Sequence, residues 1–122
     1  DRPNQVQVHE LVGDVSGRDC LLVDDMIDTG GTIVSAAHLL LDKGATEVWA
    51  MATHGVLSGP AIERLTNSRI NRVVLTNTLP LAPEAHIPKI EVLSVGKIIA
   101  DALAAVFDDT SVSEIFGGEN QA

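Results

Sequence analysis

The chain has 122 residues, 45% of them hydrophobic, which suits one folded domain and excludes intrinsic disorder. No apolar run reaches the roughly 18 residues a membrane-spanning helix needs, and a single cysteine, Cys20, excludes a disulfide framework and a cysteine-rich zinc site. Seventeen acidic residues against eight Lys and Arg give a net charge of −9, and Trp49, Phe107 and Phe116 are the aromatic residues. Neither nucleic acid nor an anionic membrane is therefore an expected partner.

Residues 5–12, QVQVHELV, partly alternate polar and apolar and predict a half-buried strand, with turns at Gly13-Asp14 and Ser16-Gly17. CLLVDD (20–25) is a short apolar run closed by two carboxylates and predicts a strand buried on both faces. From Ile33, apolar residues recur at Ala36, Ala37, Leu40 and Leu41, the spacing of an amphipathic helix, and Lys43-Gly44 supplies its stop. EVWAMAT (47–53) predicts a second buried strand, followed by the loop HGVLSGP and a short helix opened by Pro60 and carrying Ile62 and Leu65. RVVLTN (72–77) predicts a third strand. Pro80, Pro83 and Pro88 make 78–89 a surface loop, and IEVLS (90–94) a fourth strand. Ser94 is placed to cap a last helix with the face Ile99, Ala102, Leu103, Val106 and Phe107.

Strands alternating with helices predict an α/β fold, a three-layer, doubly wound and mostly parallel sheet, as one domain over 1–116 with a disordered tail at 117–122. The opening Asp1-Arg2-Pro3, with no Met and no apolar leader, is expected to belong to a longer chain, and the lone cysteine fits a cytoplasmic protein.

The chemistry concentrates after the first buried strand. Asp24-Asp25 lead into Met26-Ile27-Asp28-Thr29-Gly30-Gly31-Thr32. Gly30 and Gly31 carry no Cβ and allow backbone N–H groups to converge on one anion. The positive end of the following helix faces the same spot, and the hydroxyls of Thr29 and Thr32 are further donors. No GK[ST] follows the glycines and no GxGxxG is present, so this is neither a Walker loop nor a dinucleotide fingerprint. A carboxylate pair would repel a bare phosphate, so Asp24 and Asp25 are expected to face hydroxyls or a divalent cation. A sugar phosphate satisfies both halves.

LLVDDMIDTGGTI (21–33) resembles the phosphoribosyl-pyrophosphate motif of the type I phosphoribosyltransferase fold. ATHGVLSGPAIERL (52–65), VVLTNTLP (73–80) and SVSEIF (111–116) narrow the resemblance to the C-terminal half of the ribose-phosphate pyrophosphokinase family, the phosphoribosyl-pyrophosphate synthetases. The resemblance implies that Asp24 and Asp25 bind the ribose 2- and 3-hydroxyls while Asp28, Thr29, Gly30, Gly31 and Thr32 wrap the 5-phosphate. It implies transfer of the pyrophosphoryl group of ATP to the anomeric hydroxyl of ribose 5-phosphate, with Mg2+ required and Asp24 and Asp25 as candidate ligands for it. It further implies an allosteric phosphate site at Ser111, Ser113 and Phe116, and a homo-oligomer, a hexamer in the family.

The departure from the family pattern is the absence of Lys and Arg between Val23 and Asp42. The resemblance places the catalytic Lys and Arg, most of the ATP pocket and a second domain upstream of Asp1, so these 122 residues alone are expected to be inactive. Two rival readings share the loop: a phosphoribosyltransferase that joins a nucleobase to phosphoribosyl pyrophosphate, and a non-catalytic regulatory paralogue of the synthetase. Among other residues, His54 is a candidate for proton transfer or for ordering its loop, and His9 falls in the first expected strand. His38 is expected at the surface, Cys20 in the core, Trp49 in the core or an interface, and Arg64, Arg69 and Arg72 in one solvated cationic cluster.

Overall fold

The computed structural model of the chain describes residues 11–109 and residue 115. It contains a four-stranded parallel sheet in the order β1 (Asp19–Ile27), β2 (Glu47–Gly55), β3 (Arg72–Thr76) and β4 (Ile90–Leu93). The helices are α1 (Gly31–Asp42), α2 (Ala61–Asn67) and α3 (Gly96–Phe107), and a 3-10 turn occupies Pro83–Ala85 in the proline-rich loop. The α/β class and the parallel sheet thus follow the expectation from sequence. The strand expected at 5–12 falls mostly outside the described residues, and Leu11 and Val12 belong to no strand.

Each crossover steps to the next strand in the same direction, so right-handed connections put α1 and α2 on one face of the sheet. The core lies there. Ile33, Ala37 and Leu40 of α1 and Leu65 of α2 meet Val48, Ala50 and Ala52 of β2 and Val73 and Leu75 of β3, with Cys20 and Leu22 of β1 packed against them. Lys43 and Gly44 end α1 as its sequence predicts, with Gly44 at φ +101. Lys89 closes α2 from a distance: its ammonium donates to the carbonyls of Leu65 (2.8 Å), Ser68 (3.0 Å) and Thr66 (3.3 Å), where the helix leaves acceptors unsatisfied.

The expectation that CLLVDD is buried on both faces needs correction. Cys20 and Leu22 turn to the core, but Leu21 and Val23 are 55% and 69% exposed on the opposite side. Among the described residues β1 lies at the edge of the sheet, and neither α1 nor α2 reaches that side of it. The expected face of α3 is likewise open: Ile99, Leu103, Val106 and Phe107 are exposed among the described residues, and Ala105 is the buried one. Periodicity identified an apolar stripe without identifying what it meets. Ser94 does not cap α3 as its N-cap residue, which is Val95, though its hydroxyl accepts from the Gly96 N–H at 3.1 Å. Among the described residues no helix is long and apolar enough to cross a membrane.

Candidate functional site

The cleft of interest is built from one continuous segment, Asp24 to Ile33, and encloses about 220 Å³ at the carboxyl end of β1. Open α/β sheets place ligands at that end because the loops and helix N-termini converge there. Asp24, Asp25, Asp28, Thr29, Gly30, Gly31 and Thr32, the residues singled out in sequence, all line it. The strand extends past the two acids to Ile27, so they project from within β1 rather than closing it. Both are exposed.

Each carboxylate is tied locally: Asp24 Oδ1 accepts from the Asp25 N–H and Asp25 Oδ1 from the Met26 N–H, both at 2.8 Å. The Asp25 carboxyl is held below the usual carboxylate range by hydrogen bonding to the Asp24 side chain, then by the Met26 N–H, with a smaller contribution from the nearby charge of His54. An acid biased toward its ionised, acceptor-only form is suited to bind hydroxyl groups or a hard cation.

At the other end of the cleft, Gly30 is the N-cap of α1 at φ +80, a left-handed conformation that a β-branched residue would resist. The first helical hydrogen bond runs from the Val34 N–H to Gly30 O (3.1 Å), which leaves the N–H groups of Gly31, Thr32 and Ile33 without intrahelical acceptors. Among the described residues no side chain caps this end, and no acid occupies the first turn. A twelve-residue helix therefore presents its positive end uncompensated to the cleft.

The loop after β2 braces this segment. Val56 and Leu57 N–H groups both donate to Ile27 O (3.1 Å each), and the Ser58 N–H donates to Asp28 O (3.0 Å). The Ser58 hydroxyl donates to the Asp28 carboxylate. Asp28 thus engages Ser58 at the rim, a partner that sequence did not indicate. Arg64 of α2 also reaches the segment, its Nη1 donating to Thr29 O at 3.2 Å. Sequence reasoning missed the contacts of Arg64 and Ser58 with this segment because they lie 35 and 30 positions from their partners. One signal was available: the turns after two adjacent parallel strands must emerge side by side.

The expected arginine cluster is corrected. Arg69 pairs with Asp42 (2.8 Å), Arg72 pairs with Glu91 (3.5 Å) and stacks on Trp49 at 5.6 Å, and Arg64 turns to the Thr29 carbonyl. His54 belongs to β2, which continues through Gly55, and its Nδ1 shares a hydrogen bond with the Thr78 hydroxyl (2.7 Å). His38 is half-buried, accepting the Arg69 N–H at 3.2 Å. Trp49 is 38% exposed on the open side of the sheet. Ser111, Ser113 and Phe116, expected as an allosteric phosphate site, and His9 lie outside the described residues.

The chain matches the family described as Phosphoribosyl synthetase-associated domain over residues 3–117. It is 59% identical over 116 residues to a ribose-phosphate pyrophosphokinase of Streptomyces coelicolor, covering 95% of this chain and 36% of that protein. A ribose-phosphate pyrophosphokinase of Bifidobacterium longum is 54% identical over 115 residues, covering 94% of this chain and 34% of the relative. The crystal structure of phosphoribosylpyrophosphate synthetase from Mycobacterium smegmatis matches the fold with a TM-score of 0.78 at 49% identity, over 80% of this chain and 33% of that one. The chain spans about a third of the length of the relatives it matches.

Proposed function

From a chain that belongs to the phosphoribosyl synthetase-associated domain family, we propose the ribose 5-phosphate-binding, C-terminal half of a ribose-phosphate pyrophosphokinase. The observation that carries this reading is the polarity of one cleft: two exposed carboxylates at one end and the uncapped N-terminus of α1 at the other. The 5-phosphate occupies the cradle of Thr29, Gly30, Gly31 and Thr32, where N–H groups and the helix dipole favour a dianion. Asp24 and Asp25 accept the ribose 2- and 3-hydroxyls, and Asp28 shapes the rim. The sugar is then anchored at both ends, with the anomeric hydroxyl directed out of the cleft toward ATP.

In the reaction proposed, the anomeric oxygen bonds to the β-phosphorus of ATP as the bond from that phosphorus to the α,β-bridging oxygen breaks, AMP leaves with the bridging oxygen, and the hydroxyl proton is released to solvent. Positioning and charge neutralisation supply most of the catalysis in such a displacement. The residues present fit the Mg2+ expected from the family: Asp24 and Asp25 offer exposed hard oxygens in the cleft. That suits a cation held by one or two carboxylates together with substrate phosphates. When bound, it neutralises triphosphate charge that a chain of net charge −9 would otherwise repel.

Lys and Arg are absent from Val23 to Asp42, so we assign the cations of the transfer step to the upstream part of the protein and expect the 122 residues alone to bind without turnover. The uncovered strip of Leu21, Val23 and Trp49 supports a contact with that upstream part. The test is phosphorus NMR of the intact protein with ATP, Mg2+ and ribose 5-phosphate, beside an Asp24→Asn/Asp25→Asn variant. AMP and phosphoribosyl pyrophosphate should appear together and be suppressed in the variant. Phosphoribosyl pyrophosphate consumed on adding a nucleobase, with no AMP formed, would replace this reading with a phosphoribosyltransferase.

A further inference from the structure

The peptide between Thr29 and Gly30 is held from behind. Arg64 Nη1 donates to Thr29 O at 3.2 Å, from a helix that does not itself line the cleft. The peptide bonds are trans, and in a planar trans peptide the C=O and N–H point in opposite directions. Fixing Thr29 O toward Arg64 therefore turns the Gly30 N–H away from it, and Thr29 and Gly30 line the cleft whereas Arg64 does not. Gly30 accommodates this plane because its φ is +80.

Two further facts set Arg64 apart from its neighbours. Arg69 and Arg72 are each paired with a carboxylate, whereas among the described residues Arg64 forms no salt bridge. Arg64 also lies beside the loop, its Cβ being 3.9 Å from where a Gly30 Cβ would stand. A guanidinium hydrogen-bonded to a carbonyl polarises that peptide and strengthens its N–H as a donor.

We propose that Arg64 is a positioning residue for phosphate recognition, aiming and polarising the Gly30 N–H and placing a permanent positive charge behind a cradle whose own segment contains none. This rests on the sugar-phosphate reading of the cleft and assigns it a residue from outside the motif. The arrangement costs little flexibility, because Ser58 and the β2–α2 loop already hold the same turn through Asp28 and Ile27.

The experiment is calorimetric titration of the intact protein with ribose 5-phosphate, alongside steady-state KM and kcat, for wild type, Arg64→Ala, Arg64→Gln and Arg64→Lys. Arg64→Ala should weaken ribose 5-phosphate about tenfold and raise its KM in parallel, with the KM for ATP unchanged and thermal stability within a few degrees of wild type. Arg64→Lys should recover most of the affinity and Arg64→Gln only part, since Gln restores a donor without charge. Wild-type binding with an unaltered dissociation constant in Arg64→Ala would overturn the role of Arg64 while leaving the cleft reading intact. Equal loss for ribose 5-phosphate and ATP would also overturn it, by showing a general structural role. No binding of ribose 5-phosphate by wild type would instead remove the cleft reading itself.

Discussion

The β1–α1 turn and the β2–α2 turn leave neighbouring parallel strands at the same end of the sheet, yet their helices begin differently. α1 starts after Gly30 with no side-chain cap and no acid in its first turn. α2 starts after Pro60 and carries Glu63 in its first turn, so its short dipole meets a carboxylate of its own. The first turn lines the cleft, while the second hydrogen-bonds to the first through Ser58 and Arg64. Compensating a helix terminus within the chain and leaving it for an external anion are alternative uses of one electrostatic feature. On the proposed reading the two uses sit side by side, the compensated turn supporting the uncompensated one.

The contrast is broken most severely at glycine. Gly30 and Gly59 both hold positive φ, +80 and +56, one in each turn. Valine at either position should cost about 1–3 kcal/mol through backbone strain, read as lower midpoints in urea unfolding. Gly30→Val should also lower ribose 5-phosphate affinity by about 10–100-fold, whereas Gly59→Val should leave it within about threefold; these ratios follow if strain of that size falls on the bound or only the folded state. Equal affinity losses would erase the distinction between a binding turn and a bracing turn.

Giving α1 the acid that α2 already has should sharpen the comparison. Thr32→Glu places a carboxylate in the first turn of α1, and is expected to stabilise the free protein by up to about 0.3–1 kcal/mol. The same change should weaken ribose 5-phosphate about tenfold by calorimetry, because the new charge competes for the helix terminus and repels the phosphate. Opposite signs for stability and affinity are the signature. Tighter binding in the variant would show that the anion does not use this terminus.

Ser58→Ala should have a smaller effect, removing the hydroxyl that donates to Asp28 while preserving the backbone bond from the Ser58 N–H to Asp28 O. About 0.5–1.5 kcal/mol is a normal cost for one such hydrogen bond. The KM for ribose 5-phosphate should rise a few-fold with kcat unchanged, since the brace acts on the loop rather than on reacting atoms. A fall in kcat alone would place Ser58 in the transfer step instead.

The smallest expected effect concerns pH. Because folding lowers the pKa of Asp25, its carboxylate contributes stability that is present above the ordinary carboxyl value of about 3.9 and is lost as pH falls through the lowered value. Unfolding free energies between pH 5 and pH 3 should therefore decline slightly less steeply in Asp25→Asn than in wild type. An identical slope would show that the ties to Asp24 and Met26 do not persist in solution.

The parts of the site that were legible in sequence are contiguous. The carboxylates, glycines and threonines of 24–32 carry their chemistry within one strand–turn–helix, and hydrophobic spacing at Ile33, Ala37 and Leu40 both required the helix and oriented it on the core. The same local logic identified the three prolines that exclude a helix or central strand from 78–89, though not the 3-10 turn at Pro83–Ala85. Residue order along the chain was enough wherever partners lie within a few positions of each other.

What joins distant segments required the fold. Arg64 meets Thr29 across 35 positions and Lys89 meets Leu65 across 24, and no periodicity encodes either contact. The three arginines near the end of α2 looked like one cluster because sequence distance is blind to direction; packing sends them to Thr29, Asp42 and Glu91. The apolar run Leu21-Leu22-Val23 announced a strand buried on both faces, but which face of it is covered depends on strand order and crossover hand. Local chemistry is set by neighbours in the chain, while burial and charge pairing are set by neighbours in space, and the latter exist only once the sheet has assembled.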